Sequence, residues 1–119
     1  MKNKQYQRFD YEVPANGTLS LVSRTRNDFN FVTGLFFFSH SSLADVKVQL
    51  RIDGQEVLPV GTDIELFAWN DSISRNQTLW DLYEEKIKAA DSPVEIEINN
   101  VNNNVSKIIS LYLLLENHD

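Results

Sequence analysis

The chain has 119 residues, 42% of them hydrophobic and 24% charged, which fits one globular domain, residues 1–119, with a core of its own. It has no cysteine, so disulfides, thiolate catalysis and cysteine zinc sites are excluded. The net charge is −6 and the cations are scattered, the densest group being Arg24 and Arg26, so nucleic acid is not an expected partner.

No apolar run approaches the ~20 residues of a membrane-spanning helix. Residues 1–7 are polar and carry no signal-peptide hydrophobic region, which reads as a chain that stays in the cytoplasm where it is made. The sequons at Asn16, Asn70, Asn76 and Asn104 then read as by-products of an Asn-rich composition.

Period two dominates in chain order. Phe9, Tyr11 and Val13 alternate with Arg8, Asp10 and Glu12 in a first strand. Pro14-Ala15-Asn16-Gly17 is a turn, with Gly17 available for positive φ, and Leu19 and Leu21 continue a second strand. Residues 45–53 alternate most cleanly, Val46, Val48, Leu50 and Ile52 facing inward. Asp53-Gly54 is a hairpin turn signal leading into Glu56-Val57-Leu58, where Pro59 argues against a central strand. Ile64, Leu66 and Ala68 alternate next, then Val94, Ile96 and Ile98, and residues 99–104 are the clearest loop.

Two strands break the half-polar rule. Residues 29–38 place Phe29, Phe31, Leu35 and Phe37 on one face and Val32, Phe36 and Phe38 on the other. Residues 108–115 set Ile109, Leu111, Leu113 and Leu115 against Ile108, Tyr112 and Leu114. A two-layer sandwich covers a strand on one side only. The second face needs a helix, a loop or another subunit. Gly34, isolated in the first of these strands, marks a bulge or a close backbone approach. Leu79, Leu82, Ile87 and Ala90 lie near helical spacing, with Thr78 as N-cap and Asp91-Ser92-Pro93 as the stop, which predicts one short helix near residues 79–90.

These elements describe an all-β, two-layer antiparallel sandwich of about eight strands. A jelly roll is its natural eight-strand form, with an immunoglobulin-like topology left open.

The chain is poor in chemistry. His40 and His118 are its two histidines, and Ser39-His40-Ser41-Ser42 reads as a surface loop rather than a nucleophile with its base. Asp45, Asp53, Asp63, Asp71 and Asp81 follow no EF-hand spacing. No catalytic, cofactor or metal site is expected. Phe67, Trp69, Trp80 and Tyr83 form either ordinary packing or an aromatic sugar-binding platform, which keeps a carbohydrate-binding or other ligand-binding module as the alternative.

Several segments, Tyr11-Glu12-Val13-Pro14-Ala15-Asn16-Gly17, Val32-Thr33-Gly34-Leu35-Phe36 and Leu50-Arg51-Ile52-Asp53-Gly54-Gln55-Glu56-Val57-Leu58-Pro59, with the Leu-rich strand through Tyr112, resemble small β-sandwich or jelly-roll virion proteins of bacteriophages infecting Bacteroidetes. The resemblance implies a non-enzymatic capsid, penton, decoration or spike-base component. Such a protein assembles in the host cytoplasm as a symmetric homo-oligomer and contacts other virion proteins. The expected interface is the uncovered apolar surface: Phe29, Phe31, Val32, Phe36 and Phe38 from one strand, Ile108, Tyr112 and Leu114 from the other.

Overall fold

The computed structural model describes residues 3–40, 43–69, 80–82, 87–101 and 103–117. Two sheets form from β1 (Asn3–Val13), β2 (Thr18–Arg24), β3 (Phe31–Phe38), β4 (Lys47–Ile52), β5 (Gln55–Asp63), β6 (Ala68–Trp69), β7 (Trp80–Asp81), β8 (Ile87–Lys88), β9 (Pro93–Asn99) and β10 (Lys107–Asn117). The front sheet runs β1-β10-β3, and β6, β7 and β8 all pair with the far side of β3. The back sheet runs β2-β9-β4-β5. Pairing is antiparallel except for the short β3–β6 bridge. Apart from the β4–β5 hairpin and the short β6, β7 and β8 pieces, successive strands alternate between sheets, and the last strand inserts between the first and third. With β7 and β8 taken as one interrupted strand, this is jelly-roll order, so the immunoglobulin-like option falls away.

The core lies between the sheets. Tyr11, Val13, Ile109, Leu111, Leu113 and Leu115 of the front sheet meet Val94, Ile96, Ile98, Val48, Leu50 and Ile52 of the back sheet, all buried. The alternation read from sequence in β1, β4, β9 and β10 is the alternation that packs. The β4–β5 hairpin closes at Asp53 and Gly54, whose φ values of 53° and 75° suit a primed two-residue turn. Pro59 lies on β5, an edge strand, where a missing N–H costs no ladder bond.

Four expectations need correction. In the turn after β1, Asn16 and not Gly17 takes the positive φ, at 54°. Gly17 is required by space instead, because a Cβ there would lie 2.8 Å from Cγ of Pro14. Residues Ile64–Phe67 form a 3-10 turn, so the apolar alternation there is not a strand.

The third correction concerns the helix near residues 79–90. Trp80–Asp81 and Ile87–Lys88 are strands against β3, while Thr78, Leu79 and residues 83–86 lie outside the described residues. The side of β3 away from β10 needs hydrogen-bond partners, and this stretch supplies them. The Leu82 N–H donates to the Thr33 carbonyl and the Ala89 N–H to that of Asn30. Satisfying a buried strand outweighs a weak helical spacing.

The fourth concerns β3. Its register against β10 slips between Gly34↔Leu114 and Val32↔Leu115, leaving Thr33 as an extra residue beside Gly34. This is the bulge that Gly34 announces. It also exchanges faces. Val32 joins Leu35 and Phe37 in the core, and Phe29 is buried there too. Neither Phe29 nor Val32 is available to a partner, contrary to expectation.

Candidate interaction surface

The outer face of the front sheet is built by register. Along β1, Tyr6 sits beside Leu114, Arg8 beside Tyr112, Asp10 beside Ser110 and Glu12 beside Ile108. On the other flank of β10, Tyr112 sits beside Phe36 and Ser110 beside Phe38. Residues of one parity on three adjacent strands therefore share one surface.

An aromatic group occupies its middle. Phe36 and Tyr112 stack with centroids 4.7 Å apart and planes 9° from parallel. Tyr6 meets both edge-on, at 5.8 Å from Phe36 and 6.4 Å from Tyr112. The Arg8 guanidinium lies 5.7 Å from the Tyr112 centroid, a cation–π distance. Phe38 carries His40 edge-on at 4.9 Å, which gives that loop histidine a packing role.

Polar groups frame the rings. Arg8 Nε donates to Asp10 at 2.7 Å, and the buried Ser110 hydroxyl donates to the same carboxylate oxygen at 2.6 Å. The Ser110 bond, and after it Arg8, holds the Asp10 carboxyl below its ordinary range. At the opposite end the buried Glu116 carboxylate accepts from the Thr33 hydroxyl and faces Lys4 at 3.7 Å. On the inner side of β1, burial pushes the Tyr11 phenol up to about 12. Ser23 lies toward that hydroxyl without closing a hydrogen bond to it.

Of the expected interface residues, Phe36 is buried at 9% exposure, Phe31, Phe38, Tyr112 and Leu114 are half-buried, and Ile108 stands out at 68%. The residues sequence reasoning missed are Tyr6, Arg8 and Asp10. Alternation along β1 places them together, but nothing local sets them beside Tyr112.

Of the aromatic platform, Phe67 packs half-buried against the core. The backbone of Trp69 sits beside Phe38 and that of Trp80 beside Leu35, while Tyr83 lies outside the described residues. The Ser39 hydroxyl donates to the Ile108 carbonyl at 3.0 Å, a structural bond. Ser41, Ser42, Asp71 and His118 lie outside the described residues. Asp45 and Asp53 hold left-handed turn positions, and Asp63 pairs with Lys47. Among the described residues no three His, Cys, Asp or Glu side chains come close enough to hold a metal ion, and no helix is long and apolar enough to cross a membrane. A concavity of 390 Å³ lies across the outer face of the back sheet, between Ser20 and Val22, Gln49 and Arg51, and Glu95 and Glu97.

A search of known family models and of curated proteins finds no match to the chain.

Proposed function

We propose that the chain is a non-enzymatic structural subunit of a phage virion, a capsid-associated jelly roll that assembles with its own copies and with other virion proteins. The observation that carries the reading is the outer front face. It offers a rigid ring cluster, an exposed Ile108 and an exposed Tyr6 on a flat, strand-built surface. Aromatic residues with a central apolar patch and a polar rim are the usual make-up of protein interfaces. The jelly-roll strand order and the virion-protein resemblance of the sequence support it further. Assembly takes place in the host cytoplasm, without cofactor, nucleic acid or membrane span.

Light scattering on the purified protein tests this. Species larger than a dimer are expected, and Ile108→Asp or Tyr112→Ser should abolish them. A wild type that never exceeds a dimer at any concentration counts against self-assembly through this face.

A second reading, a glycan-binding module, draws on the two tryptophans that β6 and β7 bring to the same flank of β3. It requires a glycan array to light up and tryptophan fluorescence to respond to the hit. A silent array removes it.

A further inference from the structure

We propose that the free edge of β2 is a self-association site, at which two copies pair β2 with β2 antiparallel about a two-fold axis at Ser20 and so join their back sheets. This surface is separate from the outer front face. The inference holds whether or not the assembly is a virion.

The edges of the sandwich are not protected alike. An open strand edge is a template for another strand, and proteins guard it with charge, proline, bulges or short strands. β1 carries Lys4, Arg8, Asp10 and Glu12 along its length. β5 has Pro59, a slipped register between Leu58 and Thr62, and Gly61 at φ 84°. The flank of β3 is lined by two-residue pieces. β2 has only Arg24, at its end. Residues 18–23 read Thr, Leu, Ser, Leu, Val, Ser, with no charge, proline or bulge, and Leu21 and Val22 are 45% and 67% exposed.

The phase of its backbone is fixed. Thr25 N–H donates to the Ser92 carbonyl at one end, and Asn100 N–H donates to the Gly17 carbonyl at the other. Antiparallel strands alternate, so Leu19, Leu21 and Ser23 bond to β9 while Thr18, Ser20, Val22 and Arg24 point N–H and C=O outward. One of these is already closed. The Gln7 side chain donates to the Arg24 carbonyl at 3.1 Å and accepts from the Arg26 N–H at 2.9 Å, plugging that end. Thr18, Ser20 and Val22 remain, and no residue among those described pairs with their outward groups.

That pattern is self-complementary in one register. Placing Ser20 opposite Ser20 of a second copy sets Thr18 opposite Val22 in both directions. Every outward group of the three residues then finds a partner, and the Gln7 plug is untouched. Leu19 falls opposite Leu21, covering the exposed leucine. No like charges meet. Sliding by one step, to centre on Leu21, would demand the Arg24 carbonyl that Gln7 holds. A closed two-fold contact of this kind ends at the dimer.

The Ser20 N–H makes no bond within the chain, so Ser20→Pro removes an outward donor without breaking the ladder to β9. In the Ile108→Asp background, which removes assembly through the front face, sedimentation equilibrium from micromolar to submillimolar protein should give a concentration-dependent dimer. Adding Ser20→Pro to that background should give a monomer with an unchanged thermal melt. Cysteine linking in the otherwise cysteine-free chain reads the register without proline. Ser20→Cys should form a disulfide dimer on oxidation well ahead of Val60→Cys on the β5 edge, and mixed Thr18→Cys and Val22→Cys should link to each other in preference to themselves. An Ile108→Asp chain monomeric throughout, a dimer as strong after Ser20→Pro is added to it, or equal linking by Val60→Cys and Ser20→Cys would overturn the proposal.

Discussion

The Tyr112 ring lies flat on the Phe36 ring, 4.7 Å between centroids, and so ties β10 to β3 on the side away from the core. A sandwich interior holds the inner faces of its strands, but the outer faces must find their own contacts. Here the rings bury each other, with Tyr6 closing one edge and Arg8 lying over Tyr112. Much of the apolar surface that seemed to demand a partner is thereby hidden within the chain.

Tyr112→Ser should therefore cost stability as well as association. A stacked aromatic pair is worth about 0.5–1.5 kcal/mol beyond its buried area. With partial loss of apolar burial the total should be about 1–3 kcal/mol in a urea titration. Tyr112→Phe keeps the stack and should lose under about 1 kcal/mol. Equal losses for the two substitutions would mean the stack contributes nothing.

The Asp10 carboxyl links β1 to β10 through Ser110 across a sequence separation of 100. Its folded pKa is lowered from the ordinary 3.8. The native state then binds this proton more weakly than the unfolded chain does. The stabilisation is fully present above the unfolded value and fades as pH falls through the folded one. Acid titration of stability below pH ~4 should be shallower in Asp10→Asn. Ser110→Ala and Arg8→Ala should each raise the Asp10 pKa, the first by removing the largest single cause and the second by removing both a bond and a charge; carboxyl NMR shifts can read both, and no rise in Ser110→Ala would refute the assignment.

Sequence legibility followed locality. The β4–β5 hairpin could be read because its alternation, its Asp53-Gly54 turn and its Pro59 edge all lie within a few residues. The face assignment of β3 could not. Gly34 signalled a bulge, but period-two counting ran straight through it and grouped Phe31 rather than Val32 with Leu35 and Phe37. The stretch around Trp80 and Ile87 had helical spacing, and only the unmet needs of β3 turned it to strand. Tyr6, Arg8 and Asp10 were invisible as partners of Tyr112 because that register joins the two ends of the chain.

Two glycines should fail for different reasons. Gly54 has φ 75° and open space where a Cβ would go, so Gly54→Ala should cost about 1 kcal/mol through backbone strain alone. Gly17 has no left-handed requirement, but an added Cβ would strike Cγ of Pro14 at 2.8 Å. Pro14→Ala should therefore rescue part of the loss in Gly17→Ala and none of the loss in Gly54→Ala. Thermal melts of the two double variants decide it, and equal rescue would contradict the assignment.

Asn100 offers the sharpest test of the end of the sandwich. It is fully buried, and its amide nitrogen donates to the Pro14 and Val105 carbonyls, each at 3.1 Å. Its backbone N–H reaches the Gly17 carbonyl at 2.8 Å, and its carbonyl accepts from the Asn103 N–H at 3.3 Å. One side chain thus pins the β9–β10 loop onto the β1–β2 turn. Asn100→Ala strands two buried carbonyls and should cost about 1–3 kcal/mol. Asn100→Asp is nearly the same shape but sets an acceptor-only carboxylate against both carbonyls. At neutral pH it should be worse than alanine, because a buried charge then faces two partial negative charges. Burial and those carbonyls both favour the protonated acid, so its folded pKa lies above the unfolded one. The aspartate variant should regain stability as pH falls through that folded value, down to the unfolded one. Urea midpoints of the two variants, compared at neutral and acid pH, give the answer. An aspartate variant as stable as the asparagine chain at neutral pH would mean the loop is not held by this side chain.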